Sequence, residues 1–403
     1  MGLRPILSSL MRNGAGALLV AIQIALTLAI VVNAVFVTSE RITKMGRPSG
    51  IDDQNMFALP VTGFEKNFDF FAMVRADMAM LRDMPGVVDA MPTNHIPLSG
   101  GGSSTQLYAL PDKKGEKSPV AYYGTDEHAV NTLGVKLADG RNFSATDVEY
   151  RPKDLQGFPG TAVVTRAFAE VLFPKDKDNL VGKTMYDDQS KPIVIAGVIE
   201  QMHGAWVGWD KLDRVLLSPV VGPGPGIRYL VRTKPGQLDA VMAAAEAALR
   251  KRDPNRVVGK LRTVKNYKQS SYASDSLTAV TLSVVTGLVL TFSALGIFGL
   301  ATFNVNTRTR QIGTRRAVGA RKRDIVSYFM AENWLITTLG VVVGCGLALA
   351  VGFWLSNQFA LPRLNLYFLV GGVAGLWALG QLAAWQPALR AAKVSPAMAT
   401  RSV

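Results

Sequence analysis

The sequence predicts an integral membrane α-helical protein, with four transmembrane helices and a large α+β extracytoplasmic domain of two subdomains. Three observations predict it. No charge occurs between Arg12 and Glu40, Asp275 and Arg308, Glu332 and Arg363, or Arg363 and Arg390, and each gap exceeds the roughly 20 apolar residues that cross a bilayer. Basic residues crowd into the short segments flanking these gaps on one side. The long segment between the first two gaps instead mixes acids with bases and alternates strand-like and helix-like patterns.

Residues 1–15 carry Arg4 and Arg12 ahead of the first span, which we read at 16–39 with its apolar core from Gly16 to Val37. The basic start and Val32-Asn33-Ala34, a tolerable cleavage site, resemble a secretory leader. The apolar run is longer than the about 7–15 residues of a leader core, so an uncleaved signal anchor is expected.

Residues 40–274 are expected outside the cytoplasm, with 31 Lys and Arg against 27 Asp and Glu. Cys345, the single cysteine, lies in the third span, so this domain is expected to have no disulfide and to rely on its own core. Its roughly 230 residues suffice for more than one core. A strand at Met56 to Pro60, a helix from Phe70 to Met84 and a strand at Val87 to Pro92 repeat as a strand at Arg228 to Arg232, a helix from Leu238 to Arg252 stopped by Asp253-Pro254, and a strand at Val257 to Thr263. The helices rest on apolar residues at three- and four-residue spacing, the strands on short alternating runs. Pairing of these units, 55–104 with 222–268, predicts one small layer near the membrane. Gly100-Gly-Gly-Ser-Ser104 and Gly222-Pro-Gly-Pro-Gly226 set off 105–221 as an inserted distal subdomain, with strands at Ala162 to Thr165 and Ile193 to Ile199 and a helix near Arg166 to Leu172.

The second span, 275–306 with its core at Leu277 to Asn304, leads into the run from Arg308 to Asp324, which has seven bases, one acid and two glycines. It reads as a cytoplasmic helix or loop, 307–325, made for docking. The third span is expected at 326–359 (core Asn333 to Phe359), the fourth at 364–386 (core Leu364 to Trp385), and the tail at 387–403. Lys and Arg in short segments stay cytoplasmic. Twelve bases then lie on that side against one acid, Asp324, and the short loop between the last two spans carries Arg363 alone. Both termini are therefore expected in the cytoplasm. The net charge of +14 follows from this topology, and with no basic patch interleaved with aromatics, nucleic acid is not the expected partner.

Signals for chemistry are weak. Gly182-Lys183-Thr184 matches the end of a phosphate-binding loop, but Lys177 stands where its first glycine belongs. A turn into a Thr184 to Tyr186 strand is the expected reading. His95, His128 and His203 have no Cys, Asp or Glu at metal-ligand spacing, and no Gly-x-Ser-x-Gly elbow or clustered acid pair stands out. The span interiors offer Gln23, Asn33 and the small residues Gly340, Gly344 and Gly346, which suit close helix packing. Glu332, about two turns beyond Asp324, is expected to snorkel or to pair with an arginine; a buried proton relay is the less favoured reading.

Ala294-Leu-Gly-Ile-Phe-Gly-Leu-Ala-Thr-Phe303, followed by Arg308-Thr-Arg-Gln-Ile-Gly-Thr-Arg-Arg-Ala-Val-Gly-Ala320, resembles the second helix and loop of FtsX-like, MacB-type ABC permeases. The tail Gln386-Pro-Ala-Leu-Arg-Ala-Ala-Lys-Val-Ser-Pro-Ala-Met-Ala-Thr-Arg401 is similar to the closing motif of that family. Leu137-Ala-Asp-Gly-Arg-Asn-Phe143 with Asp147, Ala162 to Phe173, Gly182-Lys183 and Gly197-Val198 resemble its periplasmic core domain. Two departures are Gln311 and Met398, where the family usually has Glu.

The resemblance implies a mechanotransmission permease of the inner membrane with its large domain in the periplasm. It would pair with a second copy or a paralogue and rest its cytoplasmic helix on an ABC ATPase, expected here as a separate subunit that binds ATP and Mg. No cofactor, metal or catalytic residue is expected in this chain. Contact with the ATPase falls to Arg308, Arg310, Gln311, Ile312 and Gly313, then to Arg315, Arg316, Ala317, Gly319 and Ala320, and finally to Arg321, Arg323 and Asp324, with Glu332 as a possible partner of that helix. Gly313, Ala317 and Gly319 would permit close approach, while Arg315, Arg316, Arg321 and Arg323 would face acids or lipid phosphates. Motion would reach the exported domain through stalks at Lys265 to Ser274 and Glu40 to Met45. The implied work is export of a drug, peptide or toxin from the periplasm, with a membrane-fusion adaptor and an outer-membrane channel. Lipoprotein extraction, or regulation of a cell-wall hydrolase or kinase, are the alternatives.

Overall fold

The computed structural model describes residues 14–63, 69–152, 157–222, 227–252, 256–359 and 362–395. The expected helix stop at Asp253-Pro254, Pro223 to Gly226 and the tail motif beyond Ser395 lie outside these residues. The chain divides into two units, Met1–Gly46 with Ser274–Val403, and Arg47–Ala273.

Helix α1, Gly14–Met45, opens the first unit. Its 32 residues make about 48 Å of helix, more than the about 30 Å of hydrocarbon, because the polar turn from Glu40 to Lys44 continues the helix past the apolar core.

The second unit begins with β1 (Met56–Gly63), α2 (Phe70–Arg82), β2 (Val87–Thr93), β3 (Ser104–Leu110) and β4 (Lys114–Gly124). Next come α3 (Ala129–Leu133), β5 (Leu137–Gly140), β6 (Glu149–Tyr150), β7 (Thr161–Thr165), α4 (Arg166–Leu172), β8 (Thr184–Tyr186) and β9 (Pro192–Ile199). It ends with β10 (Val215–Ser218), β11 (Val220–Val221), β12 (Ile227–Thr233), α5 (Leu238–Arg252), β13 (Arg256–Val258), β14 (Arg262–Thr263) and α6 (Val264–Ser271).

The two strand-helix-strand repeats interleave in one antiparallel sheet of order β13-β1-β12-β2, the order of a split βαβ layer. Its central register pairs Ala58 with Leu230 and Leu59 with Tyr229. Phe57, Leu59, Tyr229 and Val231 pack beneath Val74, Met78 and Leu81 of α2 and Val241, Ala245 and Leu249 of α5. Inside this core the Arg256 guanidinium donates to Asp77 at 2.5 Å and the Tyr229 hydroxyl donates to the same carboxylate at 2.9 Å. The expected strand Val257 to Thr263 is two strands, because it breaks at Gly259, whose N–H turns to donate to the Pro60 carbonyl at 2.8 Å.

Strands β3–β5 and β7–β10 form a second sheet of order β5-β9-β7-β10-β4-β3-β8, and a further β8–β9 pairing closes six of them into a ring. Closure leaves few free edges. Phe168, Ala169 and Leu172 of α4 join Leu107, Val120, Val164, Ile195 and Leu216 in its core. A polar seam ties the ring to the first sheet. Arg82 donates to Asp126 at 2.5 Å, and Asp89 accepts from Asn131 at 2.7 Å and meets His128 Nδ1 at 2.9 Å.

The first unit resumes with α7 (Ala273–Thr307), α8 (Thr309–Ala317), α9 (Lys322–Phe359) and α10 (Leu366–Ala392). Helices α1, α7, α9 and α10 are each long and apolar enough to cross a membrane. α9 lies tightly on α1: a side-chain Cβ at Gly340 would stand 2.7 Å from the Ala21 carbonyl oxygen, and one at Gly344 would stand 3.0 Å from Ala25 Cα. Gly346 faces open space instead, so two of the three expected small residues make this contact. The buried Asn33 amide donates to the Ala348 carbonyl at 3.0 Å, and that of Asn333 to Gly380 at 2.9 Å. Beyond the apolar cores, Asp275 of α7 joins Arg41 at 2.5 Å and Lys44 at 3.2 Å on α1. Within the second unit, α6 stops at Ser271 with Tyr272 as its C-cap, and Lys268 of the expected stalk is drawn to Asp53 at 2.7 Å.

Candidate coupling site

The basic run does not form one helix. α8 ends at Ala317 because the chain turns through Gly319 at φ 102°, a left-handed geometry that glycine adopts without strain. α9 starts at Lys322, and Asp324 accepts from the Arg321 N–H at 2.9 Å as a local cap. Arg321, Arg323 and Asp324 thus belong to the start of α9, against the single helix expected from Arg308 to Asp324.

Three contacts hold α8 to the helices around it. Ile312 is buried among Val305, Ile325, Tyr328, Phe329 and Ala388. Arg308, at the N-terminal boundary of α8, turns back and donates from Nη1 to both carboxylate oxygens of Glu332 at 3.0 Å. Their side chains are 13% and 4% exposed, so this ion pair is shielded. Arg316 donates to the Ala392 carbonyl at 2.5 Å, at the C-terminal end of α10 where free carbonyls concentrate negative dipole. Arg315 lies with its guanidinium 4.8 Å from the centroid of the Tyr328 ring, a cation–π distance.

The expected contact residues are placed unequally. Gly313 is buried with Ile312 and faces inward, while Ala317 and Gly319 are exposed. Arg315 and Arg316 are engaged within the chain. Gln311 lines the small cleft between α8 and α9 with Arg308 and Arg315; Arg310 is exposed and Ala320 half-buried. Of the two readings of Glu332, the arginine pair is the one formed. Sequence reasoning missed Val318, which is 85% exposed at the turn and is the most solvent-facing large apolar side chain of the described residues. Its signal was a branched apolar residue between Ala317 and Gly319, at the turn of a largely polar and basic run. Tyr328 and Ala392 were missed because their roles depend on helices distant in sequence.

Elsewhere, Gly182 adopts φ 81° at the turn into β8, and Lys183 pairs with Asp176 at 2.9 Å. His95 Nε2 lies 2.7 Å from Ser103 Oγ. His203 is buried, and burial together with the nearby Arg47 lowers its pKa to about 4. No group of three His, Cys, Asp or Glu positioned for a metal occurs among the described residues.

Residues 17–251 match the MacB-like periplasmic core domain, and residues 283–396 match the FtsX-like permease C-terminal domain. The chain is similar to the macrolide export ATP-binding/permease protein MacB of Neisseria gonorrhoeae, with 26% identity over 287 residues that cover 69% of this chain and 42% of that protein. It is similar also to YknZ, an uncharacterized ABC transporter permease of Bacillus subtilis, with 23% identity over 292 residues covering 71% of each chain. The crystal structure of the periplasmic region of MacB from Actinobacillus actinomycetemcomitans aligns with 57% of this chain and 97% of its own, at 16% identity and a TM-score of 0.35. The chain spans less than half the length of the MacB relatives it matches. With one of these patterns matching more than half its residues and the other most of its membrane helices, the chain belongs to the family of FtsX-like ABC transporter permeases that carry a MacB-like periplasmic core domain.

Proposed function

We propose that the chain is the permease subunit of an ABC transporter in the bacterial inner membrane, with both termini cytoplasmic. It converts ATP hydrolysis by a separate ATPase subunit into movement of periplasmic domains, and so exports a drug, peptide or toxin from the periplasm. ATP and Mg belong to the ATPase, and a second permease, a membrane-fusion adaptor and an outer-membrane channel complete the assembly. The name of the Neisseria relative, a macrolide exporter, favours export over lipoprotein extraction or regulation.

The observation that carries this reading is the attachment of α8. A helix held by an ion pair, a buried isoleucine and a helix-end hydrogen bond moves with the bundle, and its outer side keeps an apolar knob, Val318, free for a partner. Force on α8 would pass through the Arg308–Glu332 pair into α9 and through the backbone at Arg308 into α7, whose Asp275 contacts would bring α1 along. The apolar span interiors suit a machine whose work is done outside the membrane.

The test is affinity purification of the tagged chain from native membranes, with mass spectrometry of its partners. An ABC ATPase should be recovered, and Val318→Asp should weaken its association at least about tenfold, since a buried valine contributes about 1.5–3 kcal/mol. Recovery of no ATPase under conditions that preserve a known ABC complex would refute the proposal. Undiminished ATPase association in Val318→Asp would refute the docking face.

A further inference from the structure

The first turns of α9 and the last turns of α10 enclose a groove of about 550 Å³, within the usual size range of small-molecule sites. Its two walls follow the same order. On α9, Lys322 and Arg323 are followed by Val326 and Met330; on α10, read from its end inward, Lys393 is followed by Leu389 and Trp385. Spacings of three and four residues stack each series on one face of its helix. From cation to deepest apolar residue, seven or eight residues descend about 11 Å at 1.5 Å per residue.

We propose that this groove binds one anionic diacyl phospholipid. Three cations at the rim fit a phosphate diester, and the apolar walls below fit the start of an acyl chain. Trp385, 52% exposed, has the amphipathic ring favoured at the membrane interface. Among the described residues no acid lines the groove, so a zwitterionic lipid would bring an ammonium into a cationic rim without a counter-charge. A second copy of this chain is a poorer occupant, because its segments at this end of the helices carry twelve bases against one acid. Basic pockets between membrane helices are a known chemical solution for anionic headgroups. The inference stands whether or not an ATPase docks on α8.

The full chain, purified in detergent, is titrated with dioleoyl phosphatidylglycerol or dioleoyl phosphatidylcholine and followed by native mass spectrometry. Phosphatidylglycerol should bind in preference, and the K322Q/R323Q/K393Q variant should lose roughly 100-fold in its affinity while keeping that for phosphatidylcholine, at about a factor of five for each cation removed. Met330→Trp, which fills the groove without changing charge, should reduce binding of both lipids. Millimolar inorganic phosphate should not displace the lipid. Equal binding of the two lipids, an unchanged triple variant, or displacement by phosphate would overturn the proposal. So would a wild-type dimer that Met330→Trp disrupts, since the groove would then be a protein interface.

Discussion

Glu332 provides the sharpest perturbation of the α8 attachment. Glu332→Leu removes the carboxylate that accepts both Arg308 hydrogen bonds and leaves a guanidinium whose side chain is 13% exposed without its counter-charge. Removing one member of a buried pair costs about 3–5 kcal/mol. Arg308 lies near the end of the apolar region and can swing its long side chain outward, so the lower end, about 3 kcal/mol, is expected. Arg308→Met alone should cost a similar amount. The double variant, which replaces the pair by apolar side chains, should recover to within about 1 kcal/mol of the native chain, giving a coupling of about 5 kcal/mol in the double-mutant cycle. Unfolding of the four proteins in dodecyl maltoside, followed by tryptophan fluorescence, measures it. If Glu332→Leu unfolds with the native protein, or if the two single effects simply add, then the ion pair does not hold α8 and the transmission route loses its first link.

Three further outcomes are expected. The segment 47–272 should fold alone and melt cooperatively without sensitivity to reductant, whereas ending it at Tyr267 should destabilise it, because α6 then loses the Lys268–Asp53 pair and the Ser271 hydrogen bond to the Leu98 carbonyl; circular dichroism of both segments decides. His203 has a folded pKa of about 4 against the ordinary 6.5, so below pH 6.5 the unfolded state binds the extra proton, and stability present above that pH falls by about 3 kcal/mol as pH drops to 4. Asp126, raised to about 6 chiefly by burial, acts in the opposite sense; the comparison that isolates His203 is therefore the native segment against His203→Gln in urea titrations, which should show a shallower pH slope for the variant. Gly340→Leu and Gly344→Leu should each reduce the yield of folded chain in detergent, because α1 backbone occupies the space their side chains need, while Gly346→Leu should be tolerated; size-exclusion profiles test both.

Much of the fold was legible because its signals are local. The strand at Met56 and the helix at Leu238 could be read from alternation and from three- and four-residue spacing, and both appear within a few residues of the expected bounds. The break at Gly259 was less legible, since it depends on a hydrogen bond to Pro60 across the sheet. At the candidate site, the basic run announced itself, but its division into α8, a turn and the start of α9 did not. Gly319 ends α8 through a backbone angle that composition leaves open, and Arg316 turns inward only because the end of α10 arrives beside it.

By itself, the sequence determined that this chain crosses a membrane four times and carries a large α+β domain between its first two crossings. The physical reason is that hydrocarbon tolerates neither charge nor unpaired backbone, so each span must appear as an uncharged stretch of sufficient length. Only the tertiary structure decided which residues of the basic run are already engaged within the chain, that Glu332 belongs to Arg308, that Val318 is left facing outward, and that three cations share one groove with Trp385. Each of these depends on helices meeting from distant parts of the chain, and no local periodicity encodes which faces meet.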